Sequence, residues 1–494
     1  SQSAHPPLRY SGSMSASSST RLSALDAMFV GIETSELHMH VGAVLVFEAG
    51  PLATPDGGID SERIAQRIEQ ALTKLPNYRQ RLKKTPGLKH PVWVDDSHFA
   101  LHYHLRHTAL PKPGGARLLK RLAGRIFSQS LDRQRPLWEM WVVEGLGADT
   151  FAIIAKVHHA MIDGMGGVQV LAEILRGTPT APPVAPSPSW HPAKHPGSYE
   201  LFVSEYQHRR AGLANLARRG REYLESLKDS GGSGAKDIAA GLLNIAKSGL
   251  VPAPQTSINP VRVSPHRRFD YCHYELSQIK FIKNQLGGKI NDAMLALCAG
   301  GLRRFLNRRG DRVRQLEGFR ILMPVSTRSS EARARGNQIT LAIVPLPVHI
   351  EDALLRYQAA HASASEIKDA SHQAESVALI EEVADVSSDA LLRESVRLAG
   401  ALRPFNVVVT NVPGPPFPLY LLGAKLKEMV PLVPLFNHQG LGIALFSYDG
   451  TMTMGFGADW HALPDLHLLV EDFDASFQEL YKLAKQQEPQ AHGE

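Results

Sequence analysis

Cysteine is scarce in this chain, with only Cys272 and Cys298 among 494 residues. That count excludes a disulfide framework and a four-cysteine zinc site, and it fits a reducing compartment. No uninterrupted apolar run of about 18 residues occurs, so no segment is predicted to span a membrane. Residues 1–21 lack the apolar core of a signal peptide and read as a disordered tail or cloning remnant. Several catalytic motifs are missing as well. There is no G-x-S-x-G elbow, and Cys272-His273 reads as part of an ordinary strand, which argues against covalent nucleophilic catalysis. HExxH spacing is absent, and Gly287-Gly288-Lys289 leads into isoleucine without the upstream glycine of a P-loop. The G-x-G pieces at Gly164 and Gly455 complete no dinucleotide fingerprint.

The length predicts two or three domains. A 43% hydrophobic and 21% charged composition is that of a globular protein. The 54 basic and 48 acidic residues leave a net charge of +6, suited to an anionic small molecule or lipid surface but too diffuse for nucleic acid. Residues 22–177 read as one mixed unit. Ser23 caps a short helical turn, strands cover 41–47 and 91–94, and helices cover 59–75 and 116–129. A strand over 136–147 forms a hairpin with the one that follows it. Residues 178–263 read as a linker, Pro-rich over 178–196, with helices over 199–228 and 235–248. The first of these helices is basic, with Arg209, Arg210, Arg218, Arg219 and Arg221. Residues 264–494 form a further unit. It has a helix over 276–287, a second helix capped by Asn291, strands at 319–325, 339–348, 405–410, 440–448 and 452–458, and a closing helix over 466–485. The expected class is α/β.

The chain is organised around residues 150–177, TFAIIAKVHHAMIDGMGGVQVLAEILRG. An alternating apolar strand ends in His158-His159, then Asp163 and a glycine cluster precede an amphipathic helix. Neighbours on a strand face opposite sides, so His158 lies with Lys156 and His159 with Val157. Two such histidines do not readily share a metal, and no metal site is expected there. A neutral imidazole suits general-base work. Asp163 orients the ring or locks the loop, while Gly164, Gly166 and Gly167 allow close backbone approach. The plainer alternative is a core histidine beside a capping aspartate.

His158-His159-Ala160-Met161-Ile162-Asp163-Gly164 resembles the HHxxxDG motif of the wax ester synthase/diacylglycerol acyltransferase family, part of the wider group of CoA-dependent acyltransferases. Further stretches carry the same resemblance. They are Leu25-Asp26-Ala27-Met28-Phe29, Glu33, Met39-His40-Val41-Gly42, Pro136-Leu137-Trp138, Pro265-His266-Arg267-Arg268-Phe269 and Asn291-Asp292. Pro324-Val325-Ser326-Thr327-Arg328 with Gly336-Asn337, and Asn411-Val412-Pro413-Gly414-Pro415, complete the set, which spans roughly residues 22–480. Leu37-His38 stands where a proline often precedes Met-His.

The resemblance implies two chloramphenicol-acetyltransferase-like α/β sandwich domains with a tunnel between them, joined by the Pro-rich and helical linker. It implies acyl-CoA as co-substrate, no cofactor, and a fatty alcohol or diacylglycerol as acceptor. His159 would be the general base and Asn291 the oxyanion donor. Glu33 would stand near the reaction centre, His158 beside the base, and Pro413-Gly414 at a turn lining the tunnel. A cytoplasmic enzyme peripherally bound to an anionic inner membrane or lipid inclusion is expected, the basic helix docking on lipid. The other readings are a carrier-protein-dependent condensation-type acyltransferase and a non-catalytic lipid-surface binder.

Overall fold

The computed structural model describes residues 19–147, 149–162, 166–180, 189–229, 251–326, 339–369, 387, 394 and 403–487. Its strands, in chain order, are β1 (Ser19–Arg21), β2 (His40–Glu48), β3 (Gln80–Lys84), β4 (Pro91–Asp95), β5 (Leu105–Ala109), β6 (Trp138–Gly147) and β7 (Thr150–His158). There follow β8 (Arg267–Glu275), β9 (Arg320–Ser326), β10 (Ile339–Pro345), β11 (Val407–Pro413), β12 (Tyr420–Leu421), β13 (Ala424–Leu432), β14 (Leu441–Tyr448) and β15 (Thr451–Asp459). They build a small sheet ordered β1-β4-β3 and two larger ones, β12-β13-β2-β7-β6-β5 and β10-β9-β11-β14-β15-β8.

The predicted hairpin is present, with Trp138 opposite Val157 and Glu139 opposite Lys156. One strand that reasoning along the sequence did not find decides how the halves join. β13 lies beyond residue 264, yet it pairs antiparallel with β2, Val430 opposite Val44. It also crosses β15 so closely that a Cβ on Gly455 would stand 2.0 Å from the Pro431 carbonyl oxygen. The first large sheet is thus completed by chain from the second half. Periodicity cannot show this, because it reports which face a strand buries and not which sheet it joins.

Both faces of the first large sheet are covered. Leu45 and Phe47 of β2 face one core with Ile64 and Ile68 of helix Ser61–Leu72. Val44 and Val46 face another with Leu119, Ala123 and Ile126 of helix Ala116–Phe127. That alternation is the pleat at work, and each such side chain contributes roughly 1.5–3 kcal/mol on full burial. Helix Ala116–Phe127 lies between the two large sheets, since its core also includes Phe269 of β8. It sits so close to β2 that a Cβ on Gly42 would come 2.5 Å from the Phe127 ring. The second sheet is covered by helices Leu276–Leu286, Ile290–Arg308, Ala353–Asp369 and Leu466–Gln486, which share one large core. The predicted helix over 235–248 lies outside the described residues. Among the described residues no helix is long and apolar enough to cross a membrane.

Candidate active site

The site is built where β7 ends. Lys156 and His158 share a strand face and are both buried. Lys156 Nζ donates to Ile126 O at 2.8 Å and Gln129 O at 2.9 Å, and its charge is paired with Glu139 Oε1 at 2.6 Å. This ties the C-terminal end of helix Ala116–Phe127 to the β6–β7 hairpin. Two residues on, His158 Nδ1 accepts from the Ala160 N–H at 3.0 Å. A neutral His158 therefore carries its proton on Nε2.

His159 is the first residue of a 3-10 turn, His159–Met161, and not the last residue of the strand. Its direction is accordingly set by the turn and its neighbours instead of by the pleat. The His159 N–H donates to Met39 O at 2.8 Å, and the ring stacks on Phe29 with centroids 3.9 Å apart. Nδ1 is enclosed without a hydrogen-bond partner, while the residue as a whole is half-buried. Burial lowers the His159 pKa to about 4, with the neighbouring His158 adding to the effect. The imidazole is neutral at physiological pH.

Glu33 closes helix Ala24–Ile32, which Ser23 opens by accepting the Asp26 N–H, as predicted. The structure brings Glu33 to His40 and His158, not against the His159 ring. Oε1 is 3.3 Å from His40 Nε2 and Oε2 is 3.6 Å from His158 Nε2, both near the carboxylate but neither aligned as a hydrogen bond. Oε1 also accepts the Met39 N–H at 3.2 Å, and Arg133 donates to Oε2 from Nε at 3.0 Å and Nη2 at 2.7 Å. Burial works to raise the Glu33 pKa, but the His158 and His40 rings outweigh it and hold the carboxyl well below the usual range. Burial pushes His40 down to about 3 against the pull of Glu33. His38 is lowered by burial and by Arg267. Glu33 is thus a carboxylate beside the His38 and His40 imidazoles, both of which burial keeps from protonating.

Asn291 lies across the molecule's midline in sequence, at the start of helix Ile290–Arg308. It does not cap that helix. The N-cap position is Lys289, and Asp292 accepts the Lys289 N–H at 2.8 Å while also meeting His361 Nδ1 at 2.7 Å. Asp292 stands at the third helical position, where a side chain reaches back to the N-cap N–H, whereas Asn291 is already the second residue inside the helix. Its Oδ1 instead accepts from Asn411 Nδ2 at 2.9 Å, which leaves the Asn291 N–H groups for other partners. Asn411 belongs to β11, which stays paired with β14 as far as Pro413 opposite Ser447. The expected turn at Pro413-Gly414 is therefore strand through Pro413, and the Gly414 N–H then donates to Ser447 O at 2.9 Å. Asp163 and Gly164 lie outside the described residues, as do Gly336 and Asn337. Gly166 and Gly167 open helix Gly166–Ile174.

With this geometry in view, comparison with known proteins is informative. The family described as wax ester synthase/diacylglycerol acyltransferase catalytic domain matches residues 22–294, and the family's C-terminal domain matches 335–481. The chain belongs to this family. A Mycobacterium tuberculosis protein named for diacylglycerol O-acyltransferase activity is 32% identical over 486 residues, covering 94% of this chain and 91% of its own. A second from the same species is 32% identical over 469 residues, covering 93% and 99%. The solved wax ester synthase/diacylglycerol acyltransferase of Marinobacter aquaeolei is 26% identical with a TM-score of 0.65, covering 94% of this chain and all of that one. The starter condensation domain of rhizomide synthetase shares the fold at 14% identity, with a TM-score of 0.55 over 95% of each chain. The expected α/β class with two sheet-rich halves is the observed one, and the protein is an acyltransferase. Its family implies acyl-CoA and an acyl acceptor as substrates.

Sequence reasoning passed over Phe29, Arg133 and the role of His38 and His40 in this wax ester synthase/diacylglycerol acyltransferase site. Phe29 and His40 stood inside quoted motifs, and the two-residue spacing of His38 and His40 was a usable signal for one shared face. Arg133, 100 positions from Glu33, had no signal at all.

Proposed function

We propose that this enzyme moves a long-chain acyl group from acyl-CoA to a fatty alcohol, a diacylglycerol or both, with His159 as general base and no covalent acyl-enzyme. The observation that carries the reading is the neutral His159 imidazole, stacked on Phe29 where β7 ends. It takes the hydroxyl proton as the alcohol oxygen attacks the thioester carbonyl. The tetrahedral oxyanion is met by a pre-placed donor, and the Asn291 amide is turned for that role by Asn411. Collapse breaks the C–S bond, and the imidazolium returns its proton to the CoA thiolate. Proton transfer of this kind contributes about 10²- to 10⁴-fold. Asp163 shapes the loop after the base, and the glycines behind it leave room for substrate.

The enzyme works at a lipid surface. Helix Ser198–Asp229 exposes Tyr199, Phe202, Tyr206 and Leu213 beside the exposed Arg210 and Arg218. Aromatic and apolar residues with basic neighbours suit the anionic face of an inner membrane or lipid inclusion. Radiolabelled palmitoyl-CoA supplied with hexadecanol or diacylglycerol, with thin-layer separation of products, tests the reaction. Rapid ester formation from free acyl-CoA supports it, and a strict need for a carrier protein overturns it. Co-flotation with anionic but not zwitterionic vesicles tests the surface.

A further inference from the structure

Around Glu33 the protein buries more imidazole nitrogen than it satisfies. His38 Nδ1, both nitrogens of His40 and His158 Nε2 are enclosed without an aligned hydrogen-bond partner. Buried polar atoms are nearly always paired, so a group of orphans points to something that belongs among them.

The donor set names its chemistry. One ligand atom each from Glu33, His38 and His40 lies within 4.8 Å of the other two. Two imidazoles and a carboxylate suit zinc and its neighbours in the transition series. The His38 tautomer is already the right one. Its Nε2 is 3.1 Å from Ser128 O, and a carbonyl only accepts, so Nε2 bears the hydrogen and Nδ1 presents a lone pair. A backbone carbonyl behind the ring is how metal-ligating histidines are commonly held. The His38 and His40 rings lie nearly parallel, 5.3 Å apart, and Arg133 steadies the carboxylate through Oε2. A cavity of about 20 Å³, lined by both rings and Arg267, adjoins them and has room for one small occupant.

We propose that Glu33, His38 and His40 form an inhibitory site for a zinc-class divalent cation. Arg133, Arg267 and Lys156 add positive charge around the cluster, which weakens a cation's hold and makes the binding reversible instead of permanent. The route to the reaction centre is short. Glu33 Oε1 accepts the Met39 N–H, and Met39 O accepts the His159 N–H. A cation drawing Oε1 to itself pulls on Met39 and so displaces the base. The inhibitory half of this proposal rests on His159 as base, and the binding half does not.

Co²⁺ titrated into the full chain reads out binding without activity. One equivalent should give visible d–d bands of a low-coordinate site, bleached by Zn²⁺. His38→Gln and His40→Gln should each weaken binding at least about ten-fold, and His102→Gln, an exposed histidine elsewhere, should not. Circular dichroism and thermal melting establish that each variant is folded, and His38→Gln alone decides if His40→Gln is not. A wild-type protein that binds no Co²⁺, or variants that bind it as well as wild type, overturns the site. Zn²⁺ should also slow ester formation at the concentration that bleaches Co²⁺, and His38→Gln, against its own zinc-free rate, should need at least about ten-fold more. Equal zinc sensitivity in both overturns the inhibitory role. Metal binding without any acyl transfer refutes the proposed reaction and leaves the site standing, whereas acyl transfer without metal binding does the reverse.

Discussion

The pH profile of this acyltransferase is where the His159 assignment is most exposed to test. With its pKa lowered to about 4 by burial, the ring is unprotonated in about 97% of molecules at pH 5.5. An ordinary imidazole at pKa 6.5 would be unprotonated in only about 9%. The value of kcat/KM, which reports groups on the free enzyme, should therefore stay near its plateau down to pH 5.5 and reach half near pH 4. Initial rates at subsaturating acyl-CoA and alcohol, measured in buffers from pH 3.5 to 8, supply the profile. A half-maximal point near pH 6.5 with unit slope refutes the claim that the base is held neutral by its surroundings. Acid unfolding must be separated from titration. His159 and His40 both have folded pKa values below the unfolded one, about 4 and about 3. The unfolded chain then binds more protons in that window, so the stability from burying neutral rings is complete above about pH 6.5 and is lost as pH falls toward those values. Circular dichroism over the same pH range separates them, since titration of His159 leaves the spectrum native and unfolding does not.

Other outcomes follow from the same contacts. His159→Ala should lower kcat by about 10²- to 10⁴-fold with acyl-CoA binding retained by calorimetry, and near-normal turnover sinks the mechanism. His158→Ala should cost less in turnover but should destabilise the fold, because a fully buried ring is replaced by a void. Lys156→Met leaves two buried carbonyls without a donor and Glu139 with only the more distant Arg106, at 3.6 Å, and should destabilise by about 3–5 kcal/mol in urea unfolding. Gly42→Ala places a methyl 2.2 Å from Ala155 O and 2.5 Å from the Phe127 ring, and should cost about 1–3 kcal/mol, seen as a lower melting temperature.

Much of the fold was legible because its elements carry local signals. Helix Ser61–Leu72 shows helical spacing before Pro76, and β7 alternates ahead of its histidines, so both were found within a few residues of their ends. β3 and β5 were missed, being short and rich in polar residues, and so was β13, whose Lys and Glu interrupt the alternation. The site divides in the same way. His158-His159 announces itself through a strand running into a turn, and Glu33 through a motif, but nothing local shows that Glu33 meets His158 and Arg133.

What the sequence alone determined was the chemistry on offer. It supplied a histidine at a strand end, no serine elbow, no cysteine pair in a catalytic setting, and family motifs in order from residue 22 to about 480. Those are properties of neighbouring residues, and short-range sterics and periodicity report them. Only the tertiary structure decided which groups meet. β13 crosses into the first sheet, Asn411 engages Asn291, Asp292 takes the capping bond assigned to Asn291, and Glu33 sits among His38, His40 and His158 in place of His159. Each of these joins positions distant in the chain, where backbone preference carries no information and packing alone selects the partner.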